Sequence, residues 1–196
     1  MTSFFPESWR NSPIPSWSEL SSDAPRVGAV LVPFFRFPED RYRVLFLRRS
    51  PEMTHHAGEI CFPGGEREAG DDTPWSTAVR EAYEEILLDP GNVAPVSLLP
   101  VVHAAVSGFD VYPVLGIIDC VAAAKNLRPN EAEIVSYCLA DTEIFERTPS
   151  IRTYEYQGRT AHSPEYVLED GCVVWGVTGK IIANVFEGLK RERTRR

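Results

Sequence analysis

Six residues, Arg80-Glu-Ala-Tyr-Glu-Glu85, constrain this chain more than any other stretch. Thr73 is a helix N-cap residue and Pro74 suits the first helical position, where its missing N–H costs nothing. Ala78, Val79, Ala82 and Ile86 then recur at helical spacing as a narrow apolar stripe of mostly small residues, which lets the helix lie close to a sheet. On another face stand Glu81, Glu84 and Glu85, three and four positions apart. Like charges at that spacing weaken an isolated helix by roughly 0.2–0.5 kcal/mol per pair. Arg80 relieves part of this through Glu84, its i+4 neighbour. A Glu-rich helix face is most often a solvated surface, and the six residues alone would carry little. Upstream, however, Gly64-Gly65 follow a short apolar strand, Glu59 to Phe62, and free the backbone to approach a ligand. Carboxylates facing one way beside such a turn suit a hard cation, Mg²⁺ or Mn²⁺, that also touches a phosphate.

In this register Gly65, Asp71, Arg80, Glu81, Glu84 and Glu85 resemble the signature box of the Nudix hydrolases. Asp71 stands where that family has Glu, with one extra residue before Arg80, and Leu87 replaces the usual glycine after the paired glutamates. The extra residue is typical of the coenzyme A diphosphatases. Their additional motif is resembled by Leu45, Arg49, Ser50, Gly58 and Phe62-Pro63-Gly64-Gly65, while Leu47 and Thr54 replace an expected threonine and arginine. The resemblance implies an α/β/α sandwich around a mixed β-sheet. It implies metal ligation by Glu81, Glu84, Glu85 and the Gly64 carbonyl, with Glu81, Glu84 and Arg80 as the catalytic group. Arg80 would orient a box carboxylate and Asp71 would stand behind it. The general base is left open between Glu81, Glu84 and a downstream carboxylate, for which Glu131 and Glu133 are the candidates.

The implied reaction is metal-dependent hydrolysis of a phosphoanhydride in an X-linked nucleoside diphosphate. In the coenzyme A branch, coenzyme A or an acyl derivative yields 3′,5′-ADP and the 4′-phosphopantetheine part. Two alternatives are a Nudix diphosphatase for ADP-ribose, NADH or a dinucleotide, and a non-catalytic module that binds a nucleotide and regulates a partner. Arg49 is a candidate phosphate contact because its planar fork can hold two oxygens; a salt bridge to a box carboxylate is the plainer role. His56 is a candidate substrate contact. Adjacent His55 and His56 lack the spacing of a chelating pair, and hard ions prefer oxygen. Phe109 is a candidate base-stacking ring, with a core phenylalanine as its alternative.

At 196 residues the chain suits one domain. The expected organisation is an N-terminal extension (1–25), a Nudix domain (26–190) and a basic tail (191–196). A net charge of −8 argues against nucleic acid or an acidic membrane as a general partner. It also repels an anionic substrate, so a phosphate site must carry its own cations. The expected partner is a small-molecule nucleotide. No apolar run has the length of a membrane span, no secretory signal is inferred, and the four cysteines form no CxxC pair. A cytoplasmic enzyme is expected. The Ser- and Pro-rich start, with Trp9 and Trp17 as anchors, is read as a wrap around the domain, a contact between two copies in a homodimer, or a mobile segment.

Strands are expected at Val27–Phe35, Tyr42–Leu47, Val96–His103 (broken at Pro100), Val111–Asp119 and Ile134–Leu139. Beyond them, Asp141–Arg147 reads as a short helix. Arg152–Gln157 and Glu165–Glu169 read as strands around a polar turn that includes His162. A final helix buries Ile181, Ile182, Val185, Phe186 and Leu189.

Overall fold

The run from Val27 to Phe35 has no polar face, as a strand covered on both sides requires, and it lies within β1 (Arg26–Phe37). The computed structural model describes residues 4–54, 56–104, 108–119, 121–156 and 158–195; His55, Cys120 and the middle of the loop before Phe109 lie outside them. β1 is antiparallel to β2 (Arg41–Arg49) only near their connection, where Phe34–Phe37 meet Arg41–Val44. Further along, the two strands take different partners. β3 (Ile60–Cys61) pairs with β2 at Leu47 and Arg48, and β4 (Gly64–Glu66) pairs with β1 at Gly28–Val30. The two glycines are thereby delivered into the sheet itself.

The rest of the sheet is built around this split. Pro100 separates β5 (Ala94–Leu98) from β6 (Val102–Ala104), and both run antiparallel to β7 (Phe109–Ile118). β7 is the parallel neighbour of β1, from Arg26 opposite Phe109 to Phe35 opposite Ile118. β8 (Ile134–Asp141) pairs with β2. The sheet is mixed and eight-stranded.

Two layers of apolar side chains cover it. A short N-terminal helix, α1 (Glu7–Arg10), precedes α2 (Pro74–Ile86) and α3 (Val121–Asn126). Ala78, Ala82 and Ile86 of α2 pack with Leu31, Phe35, Leu45, Leu47 and Val114 on one face. On the other, α5 (Gly176–Thr194) follows α4 (Glu143–Glu146) and buries Ile181, Ile182, Val185, Phe186 and Leu189 against Val32, Phe34, Phe46 and Leu115. Each such side chain contributes about 1.5–3 kcal/mol before entropy is charged against it. A second sheet of three antiparallel strands, β9 (Ser150–Tyr156), β10 (Arg159–Val167) and β11 (Val173–Val174), packs through β10 on α5. The architecture is the α/β/α sandwich that the resemblance implied. Among the described residues no helix is long and apolar enough to cross a membrane.

The N-terminal segment wraps the domain and enters both layers. Phe5 is fully buried and meets Phe34 edge-on at 5.0 Å. Trp17 donates its indole N–H to Thr77 Oγ1 at 3.2 Å and its backbone N–H to Asp72 O at 2.9 Å, which ties the segment to the start of α2.

Three local readings differ from the structure. The polar stretch after Gln157 is mostly strand: β10 starts at Arg159, and His162 Nδ1 shares a hydrogen bond with Thr153 Oγ1 at 3.0 Å. Polar residues suffice there because an outer sheet leaves one face in water. The basic tail continues α5 to Thr194, with Arg193 paired to Glu146 at 3.0 Å. α3 has no counterpart in the sequence reading, because six residues are too few to show a period.

Leu87 ends α2 in the left-handed region (φ 54°, ψ 34°), with Leu87 N–H donating to Tyr83 O and Leu88 N–H to Ala82 O. That closure favours glycine. Leu87→Gly removes about 1 kcal/mol of strain, partly offset by the greater entropy of glycine in the unfolded chain. The expected result is a melting temperature higher by about 1–3 °C, read by calorimetry; an unchanged or lower value would refute the strain.

Candidate active site

The site forms where the glycine turn meets the middle of α2. Thr73 Oγ1 accepts from Ser76 N–H at 3.1 Å, Ser76 Oγ accepts from Thr73 N–H at 3.0 Å, and Pro74 opens the helix. This fixes which residues face the sheet. Glu85 falls on the buried side with 2% exposure, the Glu81 side chain is 17% exposed, and that of Glu84 is 55% exposed. The three carboxylates thus run from the sheet to the solvent.

Arg80 organises them. Its Nη1 donates to Glu81 Oε1 and Glu84 Oε2, each at 3.0 Å. Its Nε and Nη2 grip Asp71 at 3.3 and 3.0 Å, and Nη2 also reaches the Glu66 carbonyl at 3.1 Å. Burial alone would push the Asp71 carboxyl up, but Arg80 and the Glu68 amide hold it below the usual carboxylate range. Arg80 in turn is held more firmly protonated, chiefly by its bond to Asp71.

Glu85 has the opposite fate. Burial, with added repulsion from Glu81 and Glu133, pushes its carboxyl up to about 8, against the pull of the Gly64 amide and the Arg49 charge. Gly64 N–H donates to Glu85 Oε2 at 3.1 Å. The contact recorded between Gly64 and this carboxylate is therefore through the amide. Burial also raises the Glu81 carboxyl, with Glu84 and Glu133 adding repulsion and Arg80 opposing it.

The glycines are needed sterically. A Cβ at Gly65 would collide with the Glu81 carboxylate, and one at Gly64 (φ 154°) would run into the Ala29 carbonyl and stand 2.6 Å from Val30 Cα.

Arg49 lies at the end of β2 beside Cys61. Its Nε is buried and has no hydrogen-bond partner among the described residues. Burial pushes the Cys61 thiol up to about 12, so it is no nucleophile. His56, at φ 57°, pairs through Nδ1 with Glu59 Oε2 at 2.9 Å, which raises its pKa against the effect of partial burial. Phe109 stands apart. It packs with the α5-side core, beneath the Arg26 guanidinium at 5.3 Å, and a Cβ on Gly28 would meet its Cζ at 2.6 Å.

Arg80, Glu81, Glu84, Glu85 and Gly64 are thus brought together, and the charge of Arg49 acts on Glu85, whereas His56 is engaged with Glu59 and Phe109 with the α5-side core. The carboxylates do not close on one point: Glu81 and Glu84 turn to Arg80, and Glu85 turns to Gly64. Among the described residues no trio of acidic, histidine or cysteine side chains forms an ion-sized cage. The donor set is nevertheless all oxygen, and Glu85 is buried with the charges of Glu81 and Glu133 acting on it, a crowding of carboxylates that a hard cation relieves, so the residues fit Mg²⁺ or Mn²⁺.

The charge of Glu133 reaches both Glu81 and Glu85. The sequence offered no sign of how its turn is used: Asn130 N–H donates to Glu85 O and Arg128 N–H to Ile86 O, each at 2.8 Å. These backbone groups satisfy carbonyls that the end of α2 leaves free. No local pattern announces such a contact.

Residues 25–153 match the family model for the NUDIX domain. A protein of Pectobacterium atrosepticum described as the uncharacterized Nudix hydrolase NudL is 36% identical over 160 residues, 80% of this chain and 79% of that protein. Nudix hydrolase 22, chloroplastic, of Arabidopsis thaliana is 34% identical over 164 residues; the match spans 81% of this chain and only 53% of the plant protein. Among solved structures, the MutT protein of Methanosarcina mazei Go1 aligns with a TM-score of 0.52 over 88% of this chain and 99% of that one, at 17% identity, a likeness of fold.

The raised Glu85 carboxyl has a consequence for metal-free protein. Between the ordinary value of 4.5 and about 8, the folded chain keeps a proton that the unfolded chain has released, so stability falls as pH rises through that window. Glu85→Gln removes this dependence. In chelator-treated protein the variant should melt higher than the parent at pH 8, by about 2–4 °C per kcal/mol recovered, and the difference should shrink toward pH 4.5. A constant difference across that range would contradict the buried, protonated Glu85.

Proposed function

The chain belongs to the Nudix family of hydrolases, and from that membership we propose that it hydrolyses coenzyme A or acyl-coenzyme A to 3′,5′-ADP and (acyl-)4′-phosphopantetheine. The observation that carries the reading is Arg49, whose buried Nε has no hydrogen-bond partner among the described residues and whose charge acts on the buried carboxyl of Glu85. A guanidinium with an unused donor suits a phosphate oxygen, and the carboxylates beside it suit a cation. One group of residues thus offers both charges that a diphosphate needs.

Nudix hydrolases generally use divalent metals such as Mg²⁺ or Mn²⁺. Glu81, Glu84, Glu85 and the Gly64 carbonyl would hold the ion here. When bound, such an ion neutralises charge on the phosphoryl oxygens and lowers the pKa of a water. Arg49 holds a phosphate oxygen and orients the anhydride. Arg80, anchored by buried Asp71, positions Glu81 and Glu84. The proton of the attacking water passes to one of the carboxylates of this group, Glu81, Glu84 or the downstream Glu133. His56 contributes a polar contact at the rim.

The coenzyme A assignment draws on where the second motif lies. Leu45 is fully buried beneath α2, and Ser50, with its N–H on Glu133 O at 2.7 Å, anchors the loop that follows Arg49. Leu47 is also fully buried in that layer, so its replacement of a threonine concerns packing rather than the substrate. A cytoplasmic setting suits free Cys61, Cys138 and Cys172.

Product analysis by mass spectrometry, with Mg²⁺ or Mn²⁺ and coenzyme A, ADP-ribose and NADH in parallel, tests the reading. Preferential release of 3′,5′-ADP and 4′-phosphopantetheine is expected; cleavage of ADP-ribose or NADH alone would move the substrate elsewhere in the family. Glu84→Gln should lower kcat at least about 100-fold, roughly 3 kcal/mol of barrier, without unfolding the chain, because Glu84 is largely exposed. Gly65→Ala and Gly64→Ala should part company. The first meets the carboxylate end of Glu81 first, a side-chain terminus rather than backbone, and should lose turnover at nearly unchanged melting temperature. The second meets backbone and should lose stability by about 2 kcal/mol or more.

A further inference from the structure

The outer three-stranded sheet carries a group of side chains for which the chemistry above has no use. Trp175, between β11 and α5, is partly exposed. Arg152 of β9 lays its guanidinium over the indole, 4.2 Å from the ring centroid. Tyr154, two residues on and so on the same strand face, meets the indole edge-on, with centroids 5.3 Å apart and planes at 77°. The Nη1 of Arg152 pairs with Glu165 Oε2 at 3.2 Å, and the Arg152 side chain is still 41% exposed.

The location gives the group its meaning. β11 packs beside β3, and Val174 shares a core cluster with Phe62. β3 leads directly into Phe62-Pro63-Gly64. Trp175 follows β11 directly, and the strand that β11 packs beside, β3, runs on into the turn that delivers Gly64 to the carboxylates. The charge balance indicates the kind of ligand. Glu165 already answers the charge of Arg152, which makes the pair a poor clamp for a second phosphate. A planar cation resting on an indole instead presents a flat, polarisable surface of the type on which bases stack.

We propose that Arg152 and Trp175, squared by Tyr154, form the platform on which the purine ring of the nucleotide substrate stacks while its diphosphate lies at Gly64-Gly65. The assignment rests on reading the site as a nucleoside-diphosphate hydrolase and adds to it the residues that hold the base. Arg152 and Trp175 act on binding and take no part in bond breaking.

Calorimetric titration of the 196-residue chain with 5′-AMP and, separately, with inorganic pyrophosphate tests the platform without requiring turnover. Arg152→Ala and Trp175→Leu should weaken AMP at least about fivefold, as loss of a stacking partner does, and leave pyrophosphate within twofold. Arg152→Lys, which keeps the charge and loses the plane, should also weaken AMP. Trp175→Leu can disturb the start of α5, whereas the exposed Arg152 can be changed without touching the core, so the Arg152 variants decide. AMP affinity equal to the parent's in both, equal weakening of AMP and pyrophosphate, or no AMP binding by the parent at millimolar concentration would each overturn the proposal. AMP binding that depends on Arg152, in a chain that cleaves no diphosphate, would leave the platform standing and remove the proposed reaction.

Discussion

One guanidinium reconciles the parts of this site that would otherwise repel each other. Arg80 meets buried Asp71 with two nitrogens, and Glu81, Glu84 and the Glu66 carbonyl with what remains. These partners come from three places: the loop before α2, α2 itself, and the end of β4. The guanidinium therefore fastens the glycine turn to the helix as well as offsetting the like charges on the helix. Asp71 explains why it stays. A carboxylate at 5% exposure is tolerable only with a charged partner, and removing one member of such a pair costs about 3–5 kcal/mol.

The sheet supplies the second constraint. Because β1 and β2 pair only near their connection, each has a free flank, and the chain returns twice to fill them with β3 and β4. Two strands of two and three residues are marginal alone. Here they are held by neighbours on long strands and by the Leu31 N–H to Pro63 O bond at 2.8 Å. Gly64 and Gly65 sit where this inserted backbone comes closest to β1 and to Glu81, and any side chain there displaces one or the other.

Glu85 shows a stability cost accepted for a site. Its carboxyl is buried beside two other acids, with the Gly64 amide as its recorded hydrogen-bond donor. An apolar residue at this inward position would be cheaper for folding. Strained or buried polar positions of this kind are where local rules of folding give way to function, and here the position lies directly at the glycine turn.

By itself the sequence determined α2, with its Thr73 cap, its Pro74 start and its apolar stripe, and with them the register of Arg80 and the glutamates. It determined β1, β2, β7 and α5 as well, because apolar period and β-branched composition are local properties. It also marked Gly64 and Gly65 as special. Tertiary structure alone decided that the glutamates differ in depth, that Arg49 is left with a buried unused donor, and that the turn at Arg128–Asn130 closes the end of α2. It placed Trp175 under Arg152, brought Phe5 into the core, and made a strand of the polar segment around His162. The reason is common to all of these. Burial, pKa and partner choice depend on groups distant in the chain, and the spacing of residues fixes which face they share but not what that face meets.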